Sequence, residues 1–527
     1  MIFPIGIVII NTMPYRVNQK IGNHIYVYEV ESYWDKVKKQ PRQRRKYLGK
    51  KDPHTGGILS PHKGFTPRDA SDFGHIYLVL QVMERIGLSS VLKKVFPEMD
   101  KELLYLSMFQ VLEGKPLYLF QPWAEAAYME EPLELSSQRI SRLAKELGRN
   151  EGRRQMFFQS WIQSQGDLQA IFFDITSLSS YSKLIEYLEW GYNRDGEKMP
   201  QINLGMIVGQ PSHLPLAYQI YPGSTADVST LKNIILLLGN WGIREFTFIL
   251  DRGFYSASNL KEMDKEKIRF VLPLSFSTKI SSQLISKHLK GSSISSVWVL
   301  LPGRPMFYVK EETTISDVHV FAHLYHDEQR KADEIDHLMR RIAELETLID
   351  KKEFWSREEV WEHLEQSFKG SGKLFDVIGQ KPHFRLKRKV KAISRLINRM
   401  GKTIILTNDS DLGREDLLSL YRRKDVLEKM FDVIKNELEC RRLRVSSREA
   451  VEGRLFLSYL SLIIHSALSQ IMKEQDLYKS YTLSEVIYEL KKLRAVTLNS
   501  GKSYLTEISK KQKMLLEKFD VPIPVAP

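Results

Sequence analysis

Three carboxylates stand in this sequence where packing alone would not place them. The stretch FTFILDRGFYS, residues 246–256, reads as a strand buried on both faces that finishes on Asp251, Arg252 and Gly253. A second apolar strand, AIFFDITS, carries Asp174 and Thr176 near its end. In YRRKDVLEKMFDVIKNEL, read as a helix, Tyr421, Lys424, Glu428 and Lys435 fall within an arc of about 60°. Leu427, Met430, Val433, Ile434 and Leu438 gather on the other side. Alone, such a stripe is a salt-bridged solvent face. The strands change its meaning, because sites in open α/β sheets collect at strand ends. Two carboxylates converging there repel unless a cation joins them. With Glu428 added from a packed helix, Asp174 and Asp251 make an oxygen-rich pocket suited to a hard divalent metal. Two such ions can activate a water or hydroxyl and stabilise the leaving oxygen of an in-line attack at phosphorus.

The elements that must position these residues follow from the pattern. From about 166 the chain turns to strands with short links. INLGMIVG and LPLAYQIYPG make an expected antiparallel pair, VSTLKNIILLLGNWG a helix, and IRFVLPL a further strand. The sum is a mixed α/β sheet. Residues 279–401 interrupt it with a Ser-rich stretch, short strands and a charged helix, and close on a run from Lys381 to Lys402 with nine basic residues and no acid. TIILTND returns to strand, and two long helices are expected at 412–439 and 448–474.

Upstream, residues 1–66 are β-rich, and Lys36 to Lys51 holds nine basic residues and no acid, which reads equally as a solvated hairpin or a phosphate-contacting arm. Residues 67–165 are helical. In SSQRISRLAKELG, Ser136 or Ser137 can cap and Gly148 can terminate. Ile140, Leu143, Ala144 and Leu147 form the apolar stripe, leaving Arg139, Arg142 and Lys145 outside it, as a helix reading a DNA groove would.

At 527 residues the chain is long enough for several cores, and 43% hydrophobic with 27% charged residues excludes a disordered or fibrous class. A net charge of +14 favours a polyanionic partner. The one cysteine, Cys440, rules out an intrachain disulfide, suits a reducing compartment and is read as packing. MIFPIGIVII is too short to span a bilayer and is read as a buried strand or an extension upstream of a start at Met13; no membrane segment is expected.

Several ordered blocks together resemble the insertion-sequence DDE transposases, in the bacterial and archaeal group with a Tyr-x2-Arg-x3-Glu-x6-Lys signature. Tyr421, Glu428 and Lys435 match that spacing, with Lys424 at the arginine position. FFDITSLSSYS is similar to the first-aspartate block, GYNRDGEKMPQINLGMIVG to the segment after it, LPLAYQIYPGSTADVSTL to the turn-and-helix block and ILDRGFYSASNL to the second-aspartate block. LRVSSREAVEGRLFLSYLSLIIHSAL is similar to the helix after the glutamate. The resemblance covers roughly 166–278 and 402–475.

It implies an α/β fold: a ribonuclease-H-like mixed-sheet catalytic core with an insertion domain, plus a helical N-terminal DNA-binding region. The expected divisions are 1–66, a basic β module; 67–165, DNA-end binding; 166–278 and 402–475, the catalytic core; 279–401, the insertion; and 476–527, a helical tail. Asp174, Asp251 and Glu428 would bind two Mg2+ or Mn2+ ions, and Tyr421, Lys424 and Lys435 would contact DNA near the cleaved end. Lysine in place of arginine gives a point charge where a bidentate grip is the rule. The reaction would be cleavage at the element's terminal inverted repeats and attack of the 3′-hydroxyl on target DNA. It would be run by a homodimer in the paired-end complex, cytoplasmic and nucleoid-associated, with no nucleotide cofactor. The other reading is a catalytically silent DNA-binding derivative. Relatives that form hairpins hold a flipped base on an aromatic side chain, for which Trp298 and Trp355 are candidates. His319, His323 and His326 have helix-like ligand spacing but sit in a strand pattern that separates His326 from the other two, and Asp227 reads as a helix N-cap in preference to a fourth acid.

Overall fold

The computed structural model describes residues 13–22, 24–53, 56–59, 67–182, 184–288, 298–301, 303–368, 370–445 and 447–525. The opening apolar run and the Ser-rich stretch at 291–297 lie outside the described residues. The chain divides into two compact units: Met1–Val82 with Leu119–Glu134 and Ile471–Pro527, and Met83–Tyr118 with Leu135–Gln470.

The first unit holds two small sheets. Strands Tyr15–Ile21 (β1), His24–Asp35 (β2), Gln40–Lys51 (β3) and Ile58–Leu59 (β4) form an antiparallel sheet in that order. Pro67–Asp72 (β5) pairs with Arg494–Leu498 (β17), which pairs with Ser503–Leu505 (β18). Phe73, Leu493 and Ala495 pack beside it, and capping boxes at Thr482 and Ser509 start the two terminal helices.

The second unit is built on a nine-stranded mixed sheet. Its strands are Ala170–Ser179 (β6), Gln201–Gln210 (β7), Pro215–Pro222 (β8), Thr247–Ile249 (β9), Arg269–Pro273 (β10), Trp298–Leu301 (β11), Arg304–Ile315 (β12), Val318–His326 (β13) and Lys402–Thr407 (β16). The order is β11-β12-β13-β16-β10-β9-β6-β7-β8. Among the described residues the neighbouring strands β6–β9 and β9–β10 pair in parallel, and these central strands are almost wholly buried. The 279–401 stretch plays two parts. Its strands β11–β13 extend the central sheet through β16. Its second half encloses a core of its own, where Leu338, Ile342, Leu345, Phe354, Leu364 and Phe375 meet around the Phe375–Gln380 and His383–Arg388 hairpin (β14, β15).

The Arg448–Glu474 helix is long and apolar enough by composition to cross a membrane, yet most of its apolar window is buried within the fold. Phe456 and Tyr459 pack on Phe157, Phe158 and Tyr218.

Two local expectations are corrected. The Ser137–Arg149 helix is capped by Ser136, whose side chain accepts from the Arg139 amide, but it is not terminated by Gly148. It runs on to Asn150, which ends it and caps the next helix, Glu151–Ser164. Gly148 is small for another reason: a Cβ there would collide with the Glu449 carbonyl, just as one at Gly453 would collide with that of Ala144. Two helices cross here at backbone contact. The second correction concerns the 412–439 helix, which is not continuous. It comprises Arg414–Arg422, a tight turn at Arg423–Lys424, Asp425–Asp432, and a wider π turn over Val433–Glu437.

Candidate active site

The parallel register of β6 and β9 brings two carboxylates side by side. Ile171 pairs with Phe248 and Phe172 with Ile249, so two residues further on Asp174 stands level with Asp251. Asp174 is not at the end of its own strand, which continues to Ser179; it lies where its neighbour β9 stops. Loss of that neighbour opens a gap in the sheet, and Asp174 is the one residue of β6 that is not fully buried. Asp251 follows in extended conformation and leads into the short turn Arg252–Phe254.

Lys424 fills the gap between them. Its Nζ lies 3.0 Å from Asp251 Oδ1 and 3.6 Å from Asp174 Oδ2, and the residue is 8% exposed. The turn between Arg414–Arg422 and Asp425–Asp432 delivers it, and the latter helix packs against β6. Burial pushes the Asp174 carboxyl above its ordinary range, and the Asp251 charge adds to this against the pull of Lys424. Burial opposes the charge on Lys424, but Asp174 and Asp251 outweigh it and hold its pKa above the usual lysine value. Tyr421, half-buried beside this group, has its phenol raised chiefly by burial.

Glu428, one turn beyond Lys424, is exposed, and its carboxylate makes no hydrogen bond or ion pair among the described residues. No group of three His, Cys, Asp or Glu side chains that could hold a metal occurs among the described residues. The donor types suit a hard divalent ion, which Asp174 and Asp251 would seat between them. In this conformation the seat holds an ammonium, and the third carboxylate does not converge on it.

Around this pair lies a brace of ion pairs that the sequence reading did not identify. Asp227 is not an N-cap; Ala226 is, and Asp227 is the first residue of the Asp227–Asn240 helix. Its carboxylate pairs with Arg194, which also donates to Ser177 Oγ on β6 at 3.3 Å. Gly253 leaves room for it, since a Cβ there would sit 3.2 Å from Asp227 Oδ2. Asp195 receives both bonds of Lys435 Nζ, at 2.9 and 2.8 Å, and Glu197 pairs with Arg442 at 3.1 Å. The alternating charges of NRDGEK were the available signal, but which partner each would meet depends on the π turn carrying Lys435.

The other candidates fall apart from this group. Arg139 is held by Glu102 through a bidentate pair, at 2.9 Å from each carboxylate oxygen, whereas Arg142 and Lys145 are exposed on the same helix. Trp298 opens β11 and is partly buried, and Trp355 is 76% exposed next to the N-terminus of Arg357–Ser367. On β13, His319 meets Glu312, His323 meets Tyr308 at 3.0 Å, and His326 faces Glu328 at 3.4 Å. Cys440 is buried with its thiol beside Ser458, and burial raises its pKa.

A family model described as the transposase DDE domain matches residues 165–464, the whole span that contains this site. No curated protein matches the chain. Among solved structures, a cryo-EM structure of the piggyBac transposase synaptic complex with hairpin DNA is similar at 11% identity over 79% of this chain and 69% of that one, with a TM-score of 0.32.

Proposed function

Since the chain belongs to the transposase DDE-domain family, we propose that it cleaves DNA at the terminal inverted repeats of its own element and joins the freed 3′-ends to target DNA. The observation that carries this reading is the level placement of Asp174 and Asp251 on parallel strands inside the matched span. Within the family we place it in the Tyr-Arg-Glu-Lys group of bacteria and archaea, with a ribonuclease-H-like core from 166–278 and 402–475 interrupted by 279–401. It would act as a homodimer on paired ends, associated with the nucleoid.

The chain's own residues divide the work. Asp174 and Asp251 would hold a divalent ion, Mg2+ or Mn2+, with Glu428 joining them; such ions activate a water or 3′-hydroxyl and stabilise the leaving oxygen. Lys424 keeps the two carboxylates together and, once free of them, offers a point charge to a DNA phosphate. Tyr421 stands beside it to contact the same strand. The Lys435–Asp195 pair ties the helical segment that carries Glu428 to the loop after β6, and Arg194, through Asp227 and Ser177, holds that loop against β6 and the Asp227–Asn240 helix. Arg142 and Lys145 supply exposed positive charge to the DNA backbone.

The test is Mg2+-dependent cleavage of labelled DNA carrying the gene's flanking repeat, by wild type, Asp174→Ala, Asp251→Ala and Glu428→Ala. Cuts at the repeat boundary that each substitution abolishes, with DNA binding retained, support the reading. Specific binding without cleavage in Mg2+ or Mn2+ supports a silent DNA-binding derivative instead. That second reading is favoured by the position of Lys424 and the exposure of Glu428.

A further inference from the structure

The β2–β3 ribbon of the first unit extends beyond the strands that flank it. β1 covers β2 only from His24 to Val30, and β4 pairs only with Lys50 and Lys51. From Glu31 to Lys46 the two strands pair with each other alone, joined by the Lys36–Lys39 turn. Every residue of Gln40–Tyr47 is exposed, and so are Tyr33, Trp34 and Val37, at 44%, 62% and 90%. A two-stranded hairpin without a covering layer is marginal in water. Its composition is also lopsided: Glu31–Lys46 contains Lys36, Lys38, Lys39, Arg42, Arg44, Arg45 and Lys46 against Glu31 and Asp35.

Cross-strand register sorts these charges. On one face Glu29 opposes Lys46, Glu31 opposes Arg44, and Arg42 reaches Asp35 at 3.5 Å, so that face is largely self-neutralised. The other face shows Tyr28, Tyr47, Trp34, Pro41 and Arg45, and the turn adds Lys36, Lys38 and Lys39. Lysines on a free strand edge can serve only to prevent edge pairing. That role does not account for an exposed Trp and Tyr beside them.

We infer that this ribbon is an arm that enters the major groove of duplex DNA, with Lys36, Lys38, Lys39 and Arg45 on phosphates and the Trp34 face toward the base edges. The dimensions agree. Paired strands lie about 4.8 Å apart, and the major groove, about 12 Å wide and 8.5 Å deep, admits a two-stranded ribbon. The inference rests on the reading of this chain as a protein that acts on DNA, and it adds a contact that the catalytic unit does not supply.

The experiment measures duplex affinity of the full chain against salt, for wild type and for a variant with Lys36, Lys38, Lys39 and Arg45 all changed to Ser. Each lost phosphate contact lowers the slope of log K against log salt by about 0.9, so losing four should flatten the variant's slope by about 3.6. Val37→Cys, labelled with a tethered DNA-cleaving reagent, gives an independent readout, because the native cysteine is 1% exposed. Cuts confined to one groove position on each strand support the arm. Unchanged slope and no localised cuts, with wild-type binding intact, overturn it while leaving the proposed function standing. Localised cuts on single strands alone also overturn it. Failure of wild type to bind duplex DNA at all removes both.

Discussion

Lys424 Nζ sits 3.0 Å from Asp251 Oδ1, and this ammonium also reaches Asp174, so one side chain bridges the two carboxylates that parallel register brings together. Removing one member of a buried ion pair leaves uncompensated charge and costs about 3–5 kcal/mol. Lys424→Met should therefore lower the unfolding midpoint markedly. Millimolar Mn2+ should raise the variant's midpoint more than that of wild type, since the ion binds a seat no longer filled. An equal Mn2+ effect on both proteins would mean that Lys424 and the ion do not compete.

Lys435 is buried and pairs with the exposed Asp195, and this pair tests whether the lysine is structural. Lys435→Met should destabilise by about 1 kcal/mol, and Asp195→Leu should add little to that loss, because both changes remove the same pair. A urea-denaturation double-mutant cycle checks this. A coupling energy below about 0.5 kcal/mol would free Lys435 for a role on DNA alone.

The crossing of Ser137–Arg149 over Arg448–Glu474 depends on Gly148 and Gly453. Gly453→Ala forces the backbones apart, and overpacking of this kind costs about 1–3 kcal/mol. Because the displaced helix carries Arg142 and Lys145, duplex affinity should fall too, measurable by fluorescence anisotropy below the unfolding temperature. Affinity unchanged with stability lost would remove that helix from the DNA contact.

His75 is fully buried with neither ring nitrogen partnered among the described residues, and burial lowers its pKa to about 3. The unfolded chain takes up a proton near pH 6.5 while the folded one does not. Stability from this residue is thus complete above pH 6.5 and is lost as pH falls toward 3, by about 1.4 kcal/mol per pH unit. His75→Phe should lose less stability than wild type between pH 7 and 5, a difference of about 2 kcal/mol in denaturant titrations. Parallel losses in the two proteins would show that the imidazole does not set the acid sensitivity.

What was legible from sequence came from period and punctuation. Alternating and continuous apolar runs disclosed β6, β7, β8, β9 and β10, and an apolar stripe gave the helix after Ser136. The blocks around Asp174, Asp251 and Glu428 were enough to indicate the DDE transposase family that residues 165–464 match. What failed was the assumption that 412–439 is one smooth helix. A 100° wheel placed Lys424, Glu428 and Lys435 on one shared face, whereas the turn at Lys424 and the π turn at Lys435 bury both lysines and leave Glu428 outside.

The sequence by itself determined which residues could do chemistry, because residue type and local period are properties of neighbouring positions. Tertiary structure alone decided which charges meet. Lys424 finds Asp174 and Asp251, Lys435 finds Asp195, Arg194 finds Asp227, and Arg139 finds Glu102. Each pairing joins segments distant in sequence, and an ion pair forms where the packed backbone brings two charges within a few ångströms in a partly dehydrated setting, a distance no local pattern encodes.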